Sequence, residues 1–260
     1  MPCRRRASAS CRLQMQLLIV YLDSFGTAKF SFTTANILRT IIWIQYKERF
    51  LLKKGLHWKT VAWVYTGPSF TNQGFNSLWV STDDDNIAEH AEKGQANVHR
   101  RASYTATDEA TSLTAIQEFL QYHPEVSIVC LVQCTSPFVK VKYLREGVKK
   151  ILSDYDSVFS VTRRHNLRWT EGNDTKPQNF DPSNRPRRQD WGGDLCENGM
   201  FYFTRVSLIH QGLLQGGRCG YVEIPTEDSL EIDTPLDIII AQEWLHYNKR
   251  QSVSILGYEN

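Results

Sequence analysis

The sequence predicts an α/β chain in which a mostly parallel sheet carries helices on both faces. Three observations lead there. Ser127-Ile128-Val129-Cys130-Leu131-Val132 is a continuous apolar run, the pattern of a strand buried on both faces. The segments on either side of it repeat their apolar residues at helical spacing. From Ser77 onward, short strands alternate with helices at the rhythm of crossover units.

The elements follow in order. Ser77-Leu78-Trp79-Val80-Ser81 is a short strand ending at Thr82-Asp83. Asp108 is placed to cap a helix whose Leu113, Ile116, Phe119 and Leu120 share one face. The apolar strand then ends in Gln133-Cys134-Thr135-Ser136-Pro137, and a second helix has Leu144, Val148, Ile151 and Leu152 in register. Strands are expected at Ser157–Val161, Met200–Phe203 and Tyr221–Pro225, with Asn198-Gly199 as a turn leading into the second of them. Thr234 at N-cap, Pro235 at the first helical position and Asp237 three residues after the cap open the last helix, close to a capping box.

Composition is ordinary for a folded chain: 260 residues, 41% of them hydrophobic and 22% charged, which excludes collagen, coiled coil and wholesale disorder. The net charge of +2 conceals a split. Residues 1–73 hold 11 Lys/Arg and 2 Asp/Glu (+9), whereas residues 74–260 hold 19 and 26 (−7). Within the first part, an Arg-rich start precedes the apolar stretch Leu13–Leu22. That stretch is too short for a membrane span, which needs about 20 apolar residues. It has the order of a secretory signal, but no small-residue cleavage site follows. Ile41-Ile42-Trp43-Ile44 sits among Lys47, Arg49, Lys53 and Lys54 with no sustained period. Residues 1–73 are therefore read as a basic, poorly ordered leader outside the domain, 74–250 as the domain, and 251–260 as a tail. No zinc finger, helix-turn-helix or RNA-binding pattern organises the basic charge, so no nucleic-acid partner is expected. The six cysteines show no paired ligand spacing and read as structural thiols.

Ligands of such sheets sit beyond the carboxyl ends of the strands. The informative residues are Thr82 and Asp83; Gln133, Thr135 and Ser136; Arg163 and Arg164; and the run Glu227 to Asp233. Hydroxyls, an amide, arginines and carboxylates together suit an anionic ligand and a hard divalent cation. The phosphate-binding P-loop and the glycine-rich dinucleotide fingerprint are both absent from the sequence.

Through Gln133-Cys134-Thr135-Ser136-Pro137, Arg185-Pro186-Arg187-Arg188-Gln189-Asp190, Glu197-Asn198-Gly199 and Glu231-Ile232-Asp233, the chain resembles the N-acylneuraminate cytidylyltransferases of the animal type. The likeness runs from Gly74 to about Tyr247. It implies a three-layer, Rossmann-like nucleotidyltransferase domain, usually dimeric, with an excursion near residues 163–195 that reaches a partner subunit. The implied reaction is Mg²⁺-dependent: the anomeric hydroxyl of a sialic acid attacks the α-phosphorus of CTP, giving CMP-sialic acid and pyrophosphate.

The resemblance gives Glu231 and Asp233 to the metal, with Asp233 and Arg188 as catalytic groups. Two carboxylates at i and i+2 on extended chain face the same way and can share one cation. Glu231 stands where the family usually has Asp, which moves its carboxylate by about 1.5 Å. Gln133, Thr135 and Ser136 are implied to hold the sugar acid. Arg185, Gln189 and Asn198 join the same set, although a turn role alone would explain Asn198. Arg100 and Arg101, with Thr111-Ser112 at a helix start, are placed to hold an anion or simply to cap that helix. The Arg185–Arg188 cluster also has the form of a nuclear localisation signal, while the leader and the sequon Asn173-Asp174-Thr175 leave the secretory pathway (Golgi) or the cytoplasm open.

One departure is large. The family opens with a strand and a loop rich in Gly, Ser, Arg and Lys that grips the nucleotide, and residues 1–73 contain nothing like it. A sheet without its first, central strand and a weak or inactive enzyme are the expectation, with residues 1–73 arising from an alternative exon or a gene-model error. The competing reading is a non-catalytic partner that binds sugar or assists dimerisation.

Overall fold

The computed structural model describes residues 40–45, 75–94 and 96–255. Nine strands and five helices are formed among them: β1 (Thr40–Gln45), β2 (Ser77–Thr82), α1 (Asp85–Lys93), β3 (Asn97–Arg100), α2 (Ser112–Tyr122), β4 (Ile128–Gln133), α3 (Val141–Ser153), β5 (Ser157–Arg164), β6 (Trp169–Thr170), β7 (Lys176–Pro177), β8 (Asp194–Arg205), α4 (Val206–His210), β9 (Cys219–Glu223) and α5 (Pro235–Ile255).

Seven strands form one sheet in the order β3-β2-β1-β4-β8-β5-β9. All pairings in it are parallel except those that β8 makes with β4 and β5. The mostly parallel α/β sheet expected from the sequence is thus present. Side chains of one face pack against α1 and α3, where Ile87, Ala91, Leu144, Val148 and Ile151 meet Val80, Cys130 and Phe203. The other face packs Val129 and Leu131 against Ile116 and Phe119 of α2 and Ile209 of α4. Burial of each such side chain stabilises by about 1.5–3 kcal/mol, and alternate residues of β4 serve the two faces because the strand period is two. The described cysteines, Cys130, Cys134, Cys196 and Cys219, are all free thiols.

Three expectations are corrected. The centre of the sheet is not empty. Thr40–Gln45, from the segment read as a leader outside the domain, lies between β2 and β4 and pairs with both. Its run of β-branched and aromatic residues favours a strand, and a missing alternation is common in the central strands of parallel sheets. The rest of the supposed leader lies outside the described residues. Next, α2 is capped by Thr111, whose hydroxyl accepts the Thr114 N–H at 3.1 Å, and not by Asp108. The chain before it turns, with Ala110 N donating to the Thr107 carbonyl, so Asp108 falls outside the first helical turn. Finally, Asn198-Gly199 is no turn. It is an irregularity inside a single 12-residue strand, β8, where the pairing slips between Phe159 and Val161 of the neighbouring strand.

The last helix opens as the sequence predicts. The Asp237 carboxylate accepts the Thr234 N–H at 2.6 Å and the Thr234 hydroxyl at 2.9 Å. The helix then continues to Ile255, past the boundary drawn at residue 250. No described helix is long and apolar enough to cross a membrane.

Candidate active site

A cavity of about 530 Å³ opens beyond the end of β5, within the range typical of small-molecule sites. Thr162 and Arg164 enter it from β5, Glu197 and Asn198 from β8, Thr226, Glu227, Ser229, Leu230 and Glu231 from the loop after β9, and Ile240 and Trp244 from α5, with Phe138 beside them. Strand alternation explains the first pair: Thr162 and Arg164 share a face, while Arg163 between them turns away to bond the Glu223 carboxylate at 2.9 and 2.8 Å. That bidentate pair holds Glu223 below its usual carboxylate range. Helical spacing explains Ile240 and Trp244, which are four residues apart.

The loop carrying Glu231 is moored at both ends. Buried Asp228 accepts the Lys140 ammonium at 2.6 and 2.8 Å and also the Tyr143 hydroxyl. Burial, reinforced by that carboxylate, raises the Tyr143 pKa. At the other end Ile232 N donates to the Thr135 carbonyl at 2.8 Å, and buried Ile232 packs with Phe138 and Ala241. Between the moorings, the Thr135 hydroxyl faces Glu231 Oε1 across a long 3.4 Å contact. Glu231 also lies over Gly199, where an added Cβ would stand 3.1 Å from both carboxylate oxygens. Near the rim, Tyr202 donates to Glu197 at 3.4 Å and the Gln215 amide donates to it at 2.9 Å. Burial and then the Glu197 charge push Tyr202 up to about 12.

Of the residues singled out from sequence, Arg164, Glu197, Asn198, Glu227, Ser229, Leu230 and Glu231 line this cavity. The Asn198 amide is committed to structure, donating to the Thr162 hydroxyl at 2.9 Å and accepting Met200 N at 3.2 Å. Thr135 and Ser136 are buried and Gln133 is half-buried at the end of β4; Thr135 stands behind Glu231. Asp233 is exposed beyond buried Ile232. Arg100 pairs with Asp85, and buried Arg101 pairs with Asp83, both at 2.8 Å. Arg185, Arg187, Arg188 and Gln189 are exposed on the segment between β5 and β8, outside the cavity of their own chain. Arg185 lies over the Phe180 ring and Arg187 pairs with Asp190. This segment contains the small β6–β7 sheet. Asn179 ties it together by accepting Arg168 N at 2.8 Å and donating to the Asn166 carbonyl at 3.0 Å.

Sequence reasoning placed Arg164 and Glu227 at the strand ends and Glu197 in a motif, but it did not separate Arg164 from Arg163, and it missed Ile240 and Trp244. The i, i+2 alternation past Val161 was a usable signal for choosing Arg164 over Arg163. Nothing local connects Trp244 to Glu197.

Among the described residues no group of three or more His, Cys, Asp or Glu side chains is gathered to hold a metal. Mg²⁺, however, is commonly held by one or two carboxylates and completed by water and phosphate oxygens. Glu231, a hard oxygen donor in the cavity lining, and exposed Asp233 two residues further on fit that pattern in number and type of donor.

A family model described as cytidylyltransferase matches residues 69–236, which span the cavity from Phe138 to Glu231. The chain is 48% identical over 189 residues to N-acylneuraminate cytidylyltransferase A of Danio rerio, an alignment covering 70% of this chain and 44% of that protein. The chain spans less than half the length of the curated relatives it matches. Among solved structures, it is similar to a CMP:2-keto-3-deoxy-manno-octonic acid synthetase complexed with CTP (TM-score 0.56, 12% identity, 81% of this chain and 99% of that one). It is also similar to the 4-diphosphocytidyl-2C-methyl-D-erythritol synthase of Anaerococcus prevotii (TM-score 0.59, 14% identity, 81% and 100%). At these identities the two structures bear on the fold alone.

Proposed function

The chain belongs to the cytidylyltransferase family, and from that premise we propose that it transfers CMP from CTP to a sialic acid, releasing pyrophosphate. The observation that carries this reading is the coincidence of the family match with the cavity: the matched stretch builds most of its walls and supplies Glu231. The 48% likeness to a protein named for this activity supports the choice of sugar acid.

In the reaction, the anomeric oxygen of the sugar acid forms a bond to the α-phosphorus. The bond from that phosphorus to the bridging oxygen of pyrophosphate breaks, and the hydroxyl proton is lost to a base or water. Glu231 and Asp233 are the residues that would hold Mg²⁺, which when bound neutralises charge on the phosphoryl oxygens. Thr135 aligns the Glu231 carboxylate, and Gln133 and Ser136 offer hydrogen bonds at the adjacent strand end. Arg185, Arg188 and Gln189 serve the site of a second copy across a homodimer, Arg188 against developing charge and the other two against the sugar acid. Their exposure on an excursion that does not return to its own cavity supports that arrangement. The same exposed arginines support nuclear targeting, which imaging of the tagged full chain with and without Arg187 and Arg188 would test.

Incubation of the full chain with CTP, Mg²⁺ and sialic acid tests the proposal. Pyrophosphate release that disappears on chelation and in Glu231→Ala is expected. Sugar binding without pyrophosphate would replace it with a non-catalytic partner.

A further inference from the structure

We propose that Arg164 is the residue that binds the substrate's carboxylate and so determines that the acceptor is a sugar acid. This rests on the cytidylyl-transfer reading above and assigns one subsite within it.

Among the cavity's lining residues Arg164 is the sole cation, facing a set that includes Glu197, Glu227 and Glu231. Despite those three carboxylates, the exposed side chain of Arg164 makes no hydrogen bond or ion pair among the described residues. Its neighbours are occupied: Arg163 is clamped to Glu223 and to the Gly192 carbonyl, and Arg168 is held by Asp194. A guanidinium left open in a cavity is a bidentate receptor for a planar carboxylate.

The backbone beneath Arg164 is well fixed. Arg164 pairs with Asp194 in the β5–β8 ladder. Gly193, at φ 67°, lets the chain pass so close that a Cβ there would lie 2.6 Å from the Arg164 carbonyl oxygen. Thr162, two residues back on the same face, is braced by the Asn198 amide. The fork therefore projects from a strand end, and less positional freedom is lost on binding than from a free loop.

The chemical consequence is specific. In a 2-keto sugar acid the carboxylate carbon is bonded directly to the anomeric carbon. A guanidinium that holds the carboxylate thus also fixes the attacking hydroxyl, and it offsets the negative charge that the cavity's own glutamates present to an anionic acceptor.

The test compares the full chain with Arg164→Ala and Arg164→Lys, using sialic acid and its 1-carboxamide as acceptors and as ligands in equilibrium binding. Arg164→Ala should raise the KM for sialic acid about 10- to 150-fold, the loss expected of one charge-assisted pair. The KM for CTP should stay within about twofold, because the subsite is assigned to the acceptor alone. The parent's preference for acid over carboxamide should vanish in Arg164→Ala and partly return in Arg164→Lys, which keeps the charge but not the fork. Retention of that preference in Arg164→Ala, or an equal loss toward CTP and sugar, overturns the assignment while leaving cytidylyl transfer intact. A parent chain that binds neither sugar and releases no pyrophosphate overturns the cytidylyl-transfer reading and this assignment with it. Melting curves identify a misfolded Ala variant, in which case Arg164→Lys and Arg164→Gln decide by the same preference.

Discussion

Gly199 sits at φ 73° within β8, a backbone conformation that costs a residue with a Cβ about 1–2 kcal/mol. The same position carries a second constraint, since a Cβ would meet both Glu231 carboxylate oxygens at 3.1 Å. Gly199→Ala should therefore lower stability by about 1–2 kcal/mol in urea denaturation. It should also raise the Mg²⁺ concentration needed for half-maximal activity, because the carboxylate must move. A variant matching the parent in both measurements would show that Gly199 does not set the Glu231 position. The motif around Gly199 was legible in sequence, but its local role was misread. Asn-Gly usually marks a turn, and only the partner strands reveal that β8 runs straight through it with a bulge.

The loop from Pro225 to Asp233 depends on a contact that sequence separation hides, since Asp228 lies 88 residues from Lys140 and 85 from Tyr143. Asp228→Ala would leave the Tyr143 hydroxyl without its acceptor inside the core, a cost of about 1–3 kcal/mol. Activity should fall alongside, because Glu231 is three residues further on the same loop. Asp228→Asn, which keeps an acceptor, should lose less of both. Equal stability of Asp228→Ala and the parent by calorimetry would contradict the mooring. Helices were more legible than loops. The apolar faces of α2 and α3 follow from spacing alone, and so does the capping of α5 by Thr234 and Asp237. Asp108 lost its expected role to Thr111 because caps are chosen by where the preceding turn delivers the chain, which residue type does not specify.

For the whole molecule, the decisive element is β1. Six residues flanked by basic sequence pair along five positions with β2 and six with β4. A chain beginning at Gly74 would leave two facing strands with a gap of two strand spacings, about 10 Å, at the centre of the sheet. It should fail to give a cooperative melting transition and should aggregate, as unpaired strand edges do. A soluble, cooperatively melting chain from Gly74 would return residues 40–45 to the status of a dispensable leader. The charge contrast between the two parts remains, but it does not mark the edge of the domain. Charge reports on solvent contact, whereas membership of the sheet is set by hydrogen bonding between strands.

The amino-acid sequence by itself determined the fold class, the order of most elements and the family resemblance, because these rest on periodicity and on motifs contiguous in the chain. Tertiary structure alone decided which side chains share a cavity and which strand fills the middle of the sheet. Arg164, Glu197, Glu231 and Trp244 meet only because β5, β8, the loop after β9 and α5 converge at one end of the sheet. Thr40–Gln45 becomes a central strand only because β2 and β4 offer matching hydrogen-bonding edges. Both outcomes depend on long-range pairing, which the local pattern of residues does not encode.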